Sequence, residues 1–464
     1  MTSPDVKICF LGAAGTVTGS KYLIETSTKK ILVDCGLFQG IKQLRELNWQ
    51  NLPLNERSID LVLLTHGHLD HTGYLPKFVK EGFLGPIWAT APTLDITKII
   101  LEDSARIQEE DAERANNEGF SKHKLAEPLY TCKDVEKVIP LFAPQPLNKW
   151  IDIDSNISCR FRYNGHILGA TFIELKIGNQ VIVFSGDIGR EKDLLMYPPE
   201  KPDQADILII ESTYGNRHHP NDSTEKLESI INNCASTNGT LIIPSFAVER
   251  TQTLMYLLWV LKKEGRIPNI PIFMDSPMGT SVLNIFEHAT SWHKLSAKEC
   301  QEMCKDIKLI RTIQETNKLA ASKGVKIIIA GSGMASGGRV LSYFAHYLGN
   351  PNATILLAGY QAEGTRGRAL LDGATEIKLF GKYFPVKAQI EIIEGLSAHA
   401  DQDELINWLS KLKNCPDEIF IVHGEQQGAT GLKEKIKEIY DWNAAIPKMN
   451  QEFEIKNQFT QNSI

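Results

Sequence analysis

Thr65-His66-Gly67-His68-Leu69-Asp70-His71 follows the compact apolar run Leu61–Leu64, and it offers four potential metal ligands, His66, His68, Asp70 and His71, within one tight turn. Imidazole nitrogens and carboxylate oxygens are the donors that a borderline-soft dication such as zinc accepts. The chain has 12 histidines in 464 residues, so three within six positions is a concentration that turn chemistry does not ask for. His123, His218, His219, His288, His293 and His346, by contrast, lie in exposed-looking or helical surroundings and read as surface or packing residues.

One turn cannot complete two metal shells, so further donors are expected at other strand ends. His166 in YNGHILGA follows the strand-like Ser158–Arg162, Asp187 in FSGDIG follows Val181–Ser185, and His423 in IVHGE follows Glu418–Val422. Each is a ligand type beside glycine at the end of an apolar strand, where loops held by rigid elements usually carry sites. Alone, each reads as a hydrogen-bonded loop residue; the ensemble reads as a metal centre. Asp34 in LVDCG also ends a strand, and its carboxylate is suited to accept the second ring N–H of a ligating histidine.

Around these donors the first third of the chain reads as short strands between glycine turns: Lys7–Leu11, Tyr22–Thr26 and Ile31–Asp34, then a hairpin of Phe172–Ile177 and Val181–Ser185 about Gly178-Asn179. After residue 213, strand-like runs at Leu241–Pro244, Pro271–Met274, Lys326–Ala330 and Thr354–Ala358 alternate with helical patterns such as Thr251–Glu264 and Arg339–Tyr347. That texture predicts a parallel sheet flanked by helices. Beyond Ile377 the chain returns to strands, Gln389–Glu394 and Glu418–Val422, with a helix from Asp401 to Lys411 between them; the polar tail Asn457–Ile464 is expected to fray.

Composition sets the class: 42% hydrophobic and 23% charged residues support a sizeable core. Eight cysteines without a CxxC pair read as thiols in a reducing compartment, Cys300 and Cys304 as packing residues. The N-terminus lacks a signal-peptide pattern, and the longest apolar run, Leu254–Leu261, falls short of the ~18 residues of a membrane span. A cytoplasmic protein with no membrane partner is expected. The net charge of −6 argues against a chain-wide cationic surface, but it is segregated: residues 214–378 hold 18 basic and 14 acidic residues, +4, and the rest 32 and 42, −10.

An Asp at a strand end, His-x-His-x-Asp-His, a distant His, a distant Asp and a final His resemble the signature of the metallo-β-lactamase fold. The resemblance implies an αββα sandwich with metals at the edge of two sheets. It would give His66, His68 and His166 to one metal, Asp70, His71 and His423 to the other, and Asp187 to both. Glu211 in ESTYG, the long insertion and His399 in LSAHAD are similar to the further motifs of the β-CASP nucleases. PSFAVERTQ (244–252), GSGMASGGR (331–339), GYQAEGTRGR (359–368) and SAHAD (397–401) resemble bacterial and archaeal homologues of the endonuclease subunit of the mRNA 3′-end cleavage complex. The similarity runs over residues 5–450. The α/β architecture implied is a metallo-β-lactamase domain, 1–212 plus 379–464, interrupted by a β-CASP domain, 213–378. No KH-type extension precedes the first strand and no ribonuclease-J-like domain follows His423, so a compact endonuclease is expected rather than a processive 5′-exonuclease.

The activity implied is zinc-dependent endonucleolytic hydrolysis of single-stranded RNA to 3′-hydroxyl and 5′-phosphate ends, with two Zn2+ per chain and Mn2+ or Fe as alternatives in the cell. Asp70, Asp187 and Asp34 belong to its metal chemistry, His399 is the candidate general acid, and Glu211 would hold its imidazolium. The RNA contacts expected are Ser245, Ser332 and Gly333 at phosphates. Arg339, Arg366, Arg368, Lys382 and Lys387 are expected along a cleft, with Tyr360 or Phe246 stacking on a base. A homodimer is left open. Two rivals stand beside this reading: a thioesterase- or lactonase-like hydrolase of small molecules, which would not need Glu211 or His399, and a catalytically silent RNA-binding scaffold, which would not need the ligands.

Overall fold

A computed structural model describes residues 6–118, 125–220 and 222–455, so His123 and the tail 457–464 lie outside the described residues. The chain divides into two units. One comprises the N-terminal residues to Gln39, Gln43–His218 and His399 onwards; the other comprises Gly40–Lys42 and His219–Ala398.

Among the described residues of the first unit, seven strands pair in the order Gln451–Ile455, Val6–Phe10, Tyr22–Glu25, Lys30–Val33, Leu61–Leu63, Ile87–Ala89 and Phe142–Pro144. A second sheet of six runs Glu418–Val422, Ile207–Glu211, Gln180–Phe184, Thr171–Ile177, Ile157–Tyr163 and Ile151–Asp152. Side chains alternate across each strand. Ile8, Phe10, Ile31 and Val33 therefore meet Ile173, Leu175, Phe184 and Ile209 in a core between the sheets, with the Phe10 and Phe420 ring centroids 5.0 Å apart. The opposite faces are apolar too. Leu32 and Val62 pack under the helices Leu75–Lys80, Ala91–Glu118 and Cys132–Val138, and Leu208 and Ile210 under Gln402–Trp408 and Gln426–Tyr440. Burial on both faces is why runs such as ILII carry no polar alternation. The result is a four-layered αββα sandwich.

The second unit is built on six parallel strands in the order Ile307–Leu309, Ile272–Asp275, Lys326–Ala330, Thr240–Pro244, Ala353–Ala358 and Gln389–Ile393. Helices Ser223–Ser236 and Arg250–Lys263 cover one face, and Ile313–Ala320, Val340–Tyr347 and Arg366–Leu371 the other. A separate antiparallel hairpin joins Glu376–Leu379 to Lys382–Pro385.

Two features depart from the sequence reading. The strand Gln389–Ile393 pairs in parallel with Ala353–Ala358, so the insert runs to Ala398 rather than to residue 378, and Lys382 and Lys387 lie in the inserted unit. An edge strand half exposed to solvent reads the same in either unit, which hides the boundary. The 28-residue helix Ala91–Glu118 had no counterpart; its C-terminal half is mostly polar, so the apolar stripe that marks a helix is weak there.

The insert's two ends are held together in the first unit, where Gln402 N donates to Arg217 O at 3.0 Å. All eight cysteines are free, Cys300 being buried. His293 is buried, its ring stacked on Phe286 at 3.8 Å. No helix among the described residues is long and apolar enough to cross a membrane.

Candidate metal centre

The strands Lys30–Val33 and Leu61–Leu63 are parallel neighbours in one sheet, and Gln180–Phe184, Ile207–Glu211 and Glu418–Val422 are parallel neighbours in the other. Asp34, the 65–71 turn, Asp187, Glu211 and His423 all sit at or just beyond the C-terminal ends of these five strands, so the topology delivers them to one edge of the sandwich. The turn then enters the short helix Leu69–Thr72, with His68 at its N-cap. Glycine permits the close approach: a Cβ on Gly36 would stand 1.6 Å from Asp70 O, and one on Gly189 would stand 2.1 Å from the Gly165 carbonyl carbon, next to His166.

The donors form adjoining groups. His66, His68, His166 and Asp187 each offer one atom within 4.8 Å of the others, as do Asp70, His71 and His423 in a second set. Asp187 faces both: Oδ2 lies 3.4 Å from His66 Nε2 and 3.6 Å from His166 Nε2, while Oδ1 lies 3.3 Å from His71 Nε2. Asp70 Oδ2 is 3.4 Å from His423 Nε2.

Oxygen atoms behind the rings fix which nitrogen points inward. His71 Nδ1 lies 2.7 Å from Asp34 Oδ2, His66 Nδ1 3.1 Å from Thr65 Oγ1, and His423 Nδ1 3.1 Å from Thr213 Oγ1. With Nδ1 of His66 and His71 turned outward, their Nε2 atoms face the centre, while His423 Nδ1 also lies 3.3 Å from Asp187 Oδ1. Asp34 is itself pinned by the Thr65 amide at 2.8 Å and hydroxyl at 2.9 Å. Sequence reasoning gave no role to Thr65 or Thr213; the available signal was a hydroxyl residue directly beside a ligand motif, and beside the Glu211-Ser212 strand end.

Electrostatics agree with a ligand set. Burial drives the pKa of His66 down to about 3 and that of His68 down to about 4, and it takes His166 well below the usual imidazole value. Burial opposes a charge on His71 as well, but Asp187 and Asp34 outweigh it and raise its pKa well above the usual value. Asp187 is held well below the carboxylate range against its own burial, chiefly by His423, His71 and His66. The rings meet nitrogen to nitrogen: His66 Nε2 to His68 Nδ1 at 3.1 Å, His166 Nε2 to His68 Nδ1 at 3.2 Å, and His71 Nε2 to His423 Nε2 at 3.2 Å. The buried Asp187 Oδ1 has no hydrogen-bond partner. Converging lone pairs beside an unsatisfied carboxylate oxygen are what divalent cations satisfy, and the N/O donor set fits zinc.

Beside these groups, Glu211, Asp187 and His399 form a third cluster. Glu211 is buried and accepts from Ile188 N at 2.6 Å and Thr213 N at 3.2 Å, and its Oε1 lies 3.3 Å from His399 Nδ1. Burial opposes charging of His399, yet Glu211, with help from Asp187 and Asp70, raises its pKa.

The expected RNA contacts fall in the inserted unit, and most of their polar atoms are engaged within it. Ser245 is buried, donating to Phe246 O at 3.1 Å and accepting from Thr251 Oγ1 at 3.1 Å. Ser332 Oγ accepts from Ser336 N at 3.3 Å, and Gly333 lies against the Phe246 ring, where a Cβ would come within 2.5 Å. Arg339 binds Asp275 Oδ1 at 3.0 Å and Thr316 Oγ1 at 2.5 Å; Arg366 donates to Lys378 O at 2.9 Å and Ser336 O at 2.8 Å; Arg368 pairs with Asp372 at 2.9 Å. Tyr360 is half-buried, whereas Lys382 and Lys387 are exposed.

Comparison with known proteins matches this architecture. The metallo-beta-lactamase superfamily matches residues 14–232, the Beta-Casp domain 251–370, and the Zn-dependent metallo-hydrolase RNA specificity domain 383–447. Ribonuclease TTHA0252 of Thermus thermophilus is 32% identical over 437 residues, covering 92% of this chain and 95% of that protein. Transcription termination factor FttA of Methanosarcina mazei is 28% identical over 458 residues, 94% of this chain and 70% of that one. A crystal structure of a protein of unknown function from Enterococcus faecalis shares the fold, with a TM-score of 0.53, 12% identity, and coverage of 97% of this chain and 100% of that one. The chain belongs to the metallo-β-lactamase superfamily, to its branch of metal-dependent RNA hydrolases that carry a β-CASP domain.

Proposed function

We propose that the protein is a zinc-dependent endonuclease that hydrolyses single-stranded RNA to 3′-hydroxyl and 5′-phosphate products, acting in the cytoplasm, where its free thiols persist. The observation that carries this reading is the Glu211–His399 pair beside the metal-ligand cluster, 3.3 Å from carboxylate oxygen to ring nitrogen. A thioester releases a thiolate, which leaves without a proton donor; breaking a phosphodiester P–O bond leaves a sugar oxygen that needs a proton.

His66, His68 and His166 would hold one ion, Asp70, His71 and His423 the other, and Asp187 would face both. Two such ions supply ionisation of a water and neutralisation of charge building on the phosphate. Asp34, Thr65 and Thr213 keep the ligand rings in the tautomer that presents Nε2. Glu211 holds His399 Nδ1, and the other ring nitrogen, Nε2, would give a proton to the departing 3′ oxygen, with the buried Glu211 keeping that ring oriented.

Incubating the protein with end-labelled and internally labelled single-stranded RNA, with and without chelator, tests the reading. Internal cuts bearing 3′-hydroxyl and 5′-phosphate ends, lost on chelation and restored by zinc, are expected. Hydrolysis of ester substrates with RNA left intact would overturn it.

A further inference from the structure

The hairpin Glu376–Leu379/Lys382–Pro385 has a buried inner face and an exposed outer face. Ile377 and Leu379 are buried in the core of the inserted unit, with Phe384 packed against them. Lys378 and Tyr383 are direct cross-strand partners on the other face, with the Lys378 ammonium 5.7 Å from the Tyr383 ring centroid and Tyr383 62% exposed. At the tip, Phe380 and Gly381 form the two-residue loop between the paired Leu379 and Lys382, with φ of 49° and 78°. Two consecutive positive φ values are the signature of a turn that favours asparagine, aspartate or glycine. A phenylalanine there adopts a left-handed backbone at a cost, and Phe380 recovers little by burial, being 51% exposed.

The hairpin is also firmly held. The Arg366 guanidinium donates to Lys378 O and to Ser336 O, tying it to the glycine-rich loop 331–338. Residues 366–387 hold five basic and two acidic side chains. Exposed rings on a rigid ribbon flanked by cations are the elements by which single-stranded nucleic acid is bound without regard to sequence: bases stack on the rings and phosphates meet the cations. We infer that this hairpin is a base-stacking platform for single-stranded RNA, with Phe380 and Tyr383 each taking an unpaired base and Lys378, on the same face as Tyr383, contacting a phosphate. The inference rests on the RNA reading above and adds to it a binding site in the inserted unit.

Fluorescence anisotropy of a labelled oligouridylate tests it, using the full chain carrying Asp187→Asn to prevent turnover. Phe380→Ala with Tyr383→Ala is expected to weaken binding by about tenfold for each ring removed, while Phe380→Tyr with Tyr383→Phe retains affinity and duplex RNA shows no such difference. Phe380→Gly separates function from architecture: it relieves the turn, so it should raise the thermal midpoint while lowering affinity. If the double alanine chain binds as tightly as its parent, the platform is wrong and the RNA reading stands. If the parent itself does not bind the oligouridylate, both fail. Concentration-dependent self-association of the parent in sedimentation, abolished by the double alanine change with RNA affinity unaltered, would assign the rings to a protein contact and overturn the platform.

Discussion

Asp34 Oδ2 lies 2.7 Å from His71 Nδ1 although 37 residues separate them, because parallel pairing of Lys30–Val33 with Leu61–Leu63 brings both strand ends to one edge. The carboxylate sets the tautomer of a ring whose other nitrogen faces His423. Asp34→Asn should therefore leave the fold intact and weaken metal retention by about 10–100-fold. Competition with a chromogenic chelator measures this; unchanged retention would reduce Asp34 to a turn residue.

Asp187 is the carboxylate that faces both ligand groups, and its Oδ1 is otherwise unsatisfied. Asp187→Asn should abolish RNA hydrolysis while largely keeping RNA affinity. His399→Ala, which leaves the ligand set untouched, should lower kcat by about 10²–10⁴ with metal content unchanged. Single-turnover kinetics alongside metal analysis distinguishes the two, since loss of metal in His399→Ala would place that ring among the ligands.

Lys21 is fully buried, with its ammonium 4.4 Å from the Phe38 ring centroid and 4.9 Å from that of Tyr74. Burial lowers its pKa to about 8 from an ordinary 10.5. A lysine depressed in the folded state binds fewer protons there than in the unfolded chain, so its destabilising contribution is complete below pH 8 and is relieved as the pH rises from 8 towards 10.5. The shift corresponds to about 3 kcal/mol. Lys21→Met should thus stabilise the protein at pH 7 by about 2 kcal/mol once the lost cation–π contacts are counted. The gain should shrink at higher pH; urea midpoints at pH 7 and above pH 9 give the comparison, and a gain independent of pH would contradict the assignment.

Arg339 is expected to act on stability. It pairs with Asp275, which is buried and also accepts from Thr316 Oγ1 and Tyr343 OH, each at 2.6 Å. Arg339→Met leaves that carboxylate without its cation and should destabilise the inserted unit by about 3 kcal/mol. Urea unfolding followed by a probe in that unit reports it; a drop in RNA affinity with unchanged stability would return Arg339 to the RNA surface.

The candidate donor motifs were legible because imidazole and carboxylate side chains crowded at strand ends leave a residue-type signature, and the structure brings His66, His68, His166 and Asp187 together in one group and Asp70, His71 and His423 in another. The RNA contacts were less legible. An arginine bound for phosphate and one bound for a backbone carbonyl look alike in sequence, and Arg366 makes the second kind of contact with Lys378 and Ser336. Tyr383, one of the two proposed stacking residues, was missed for a related reason: an aromatic on a strand reads as core until its pairing with Lys378 and its exposure show which face it occupies.

The hydrogen bond from Gln402 N to Arg217 O, 3.0 Å across the two ends of the insert, bears on how such a chain arises. A host whose surface loop already closes there can accept 180 residues, His219–Ala398, as a graft without repositioning a strand, because the entropy of closing a loop grows only with the logarithm of its length. Every ligand candidate belongs to the host. A substitution inside the graft therefore leaves the backbone that carries the candidate donors in place.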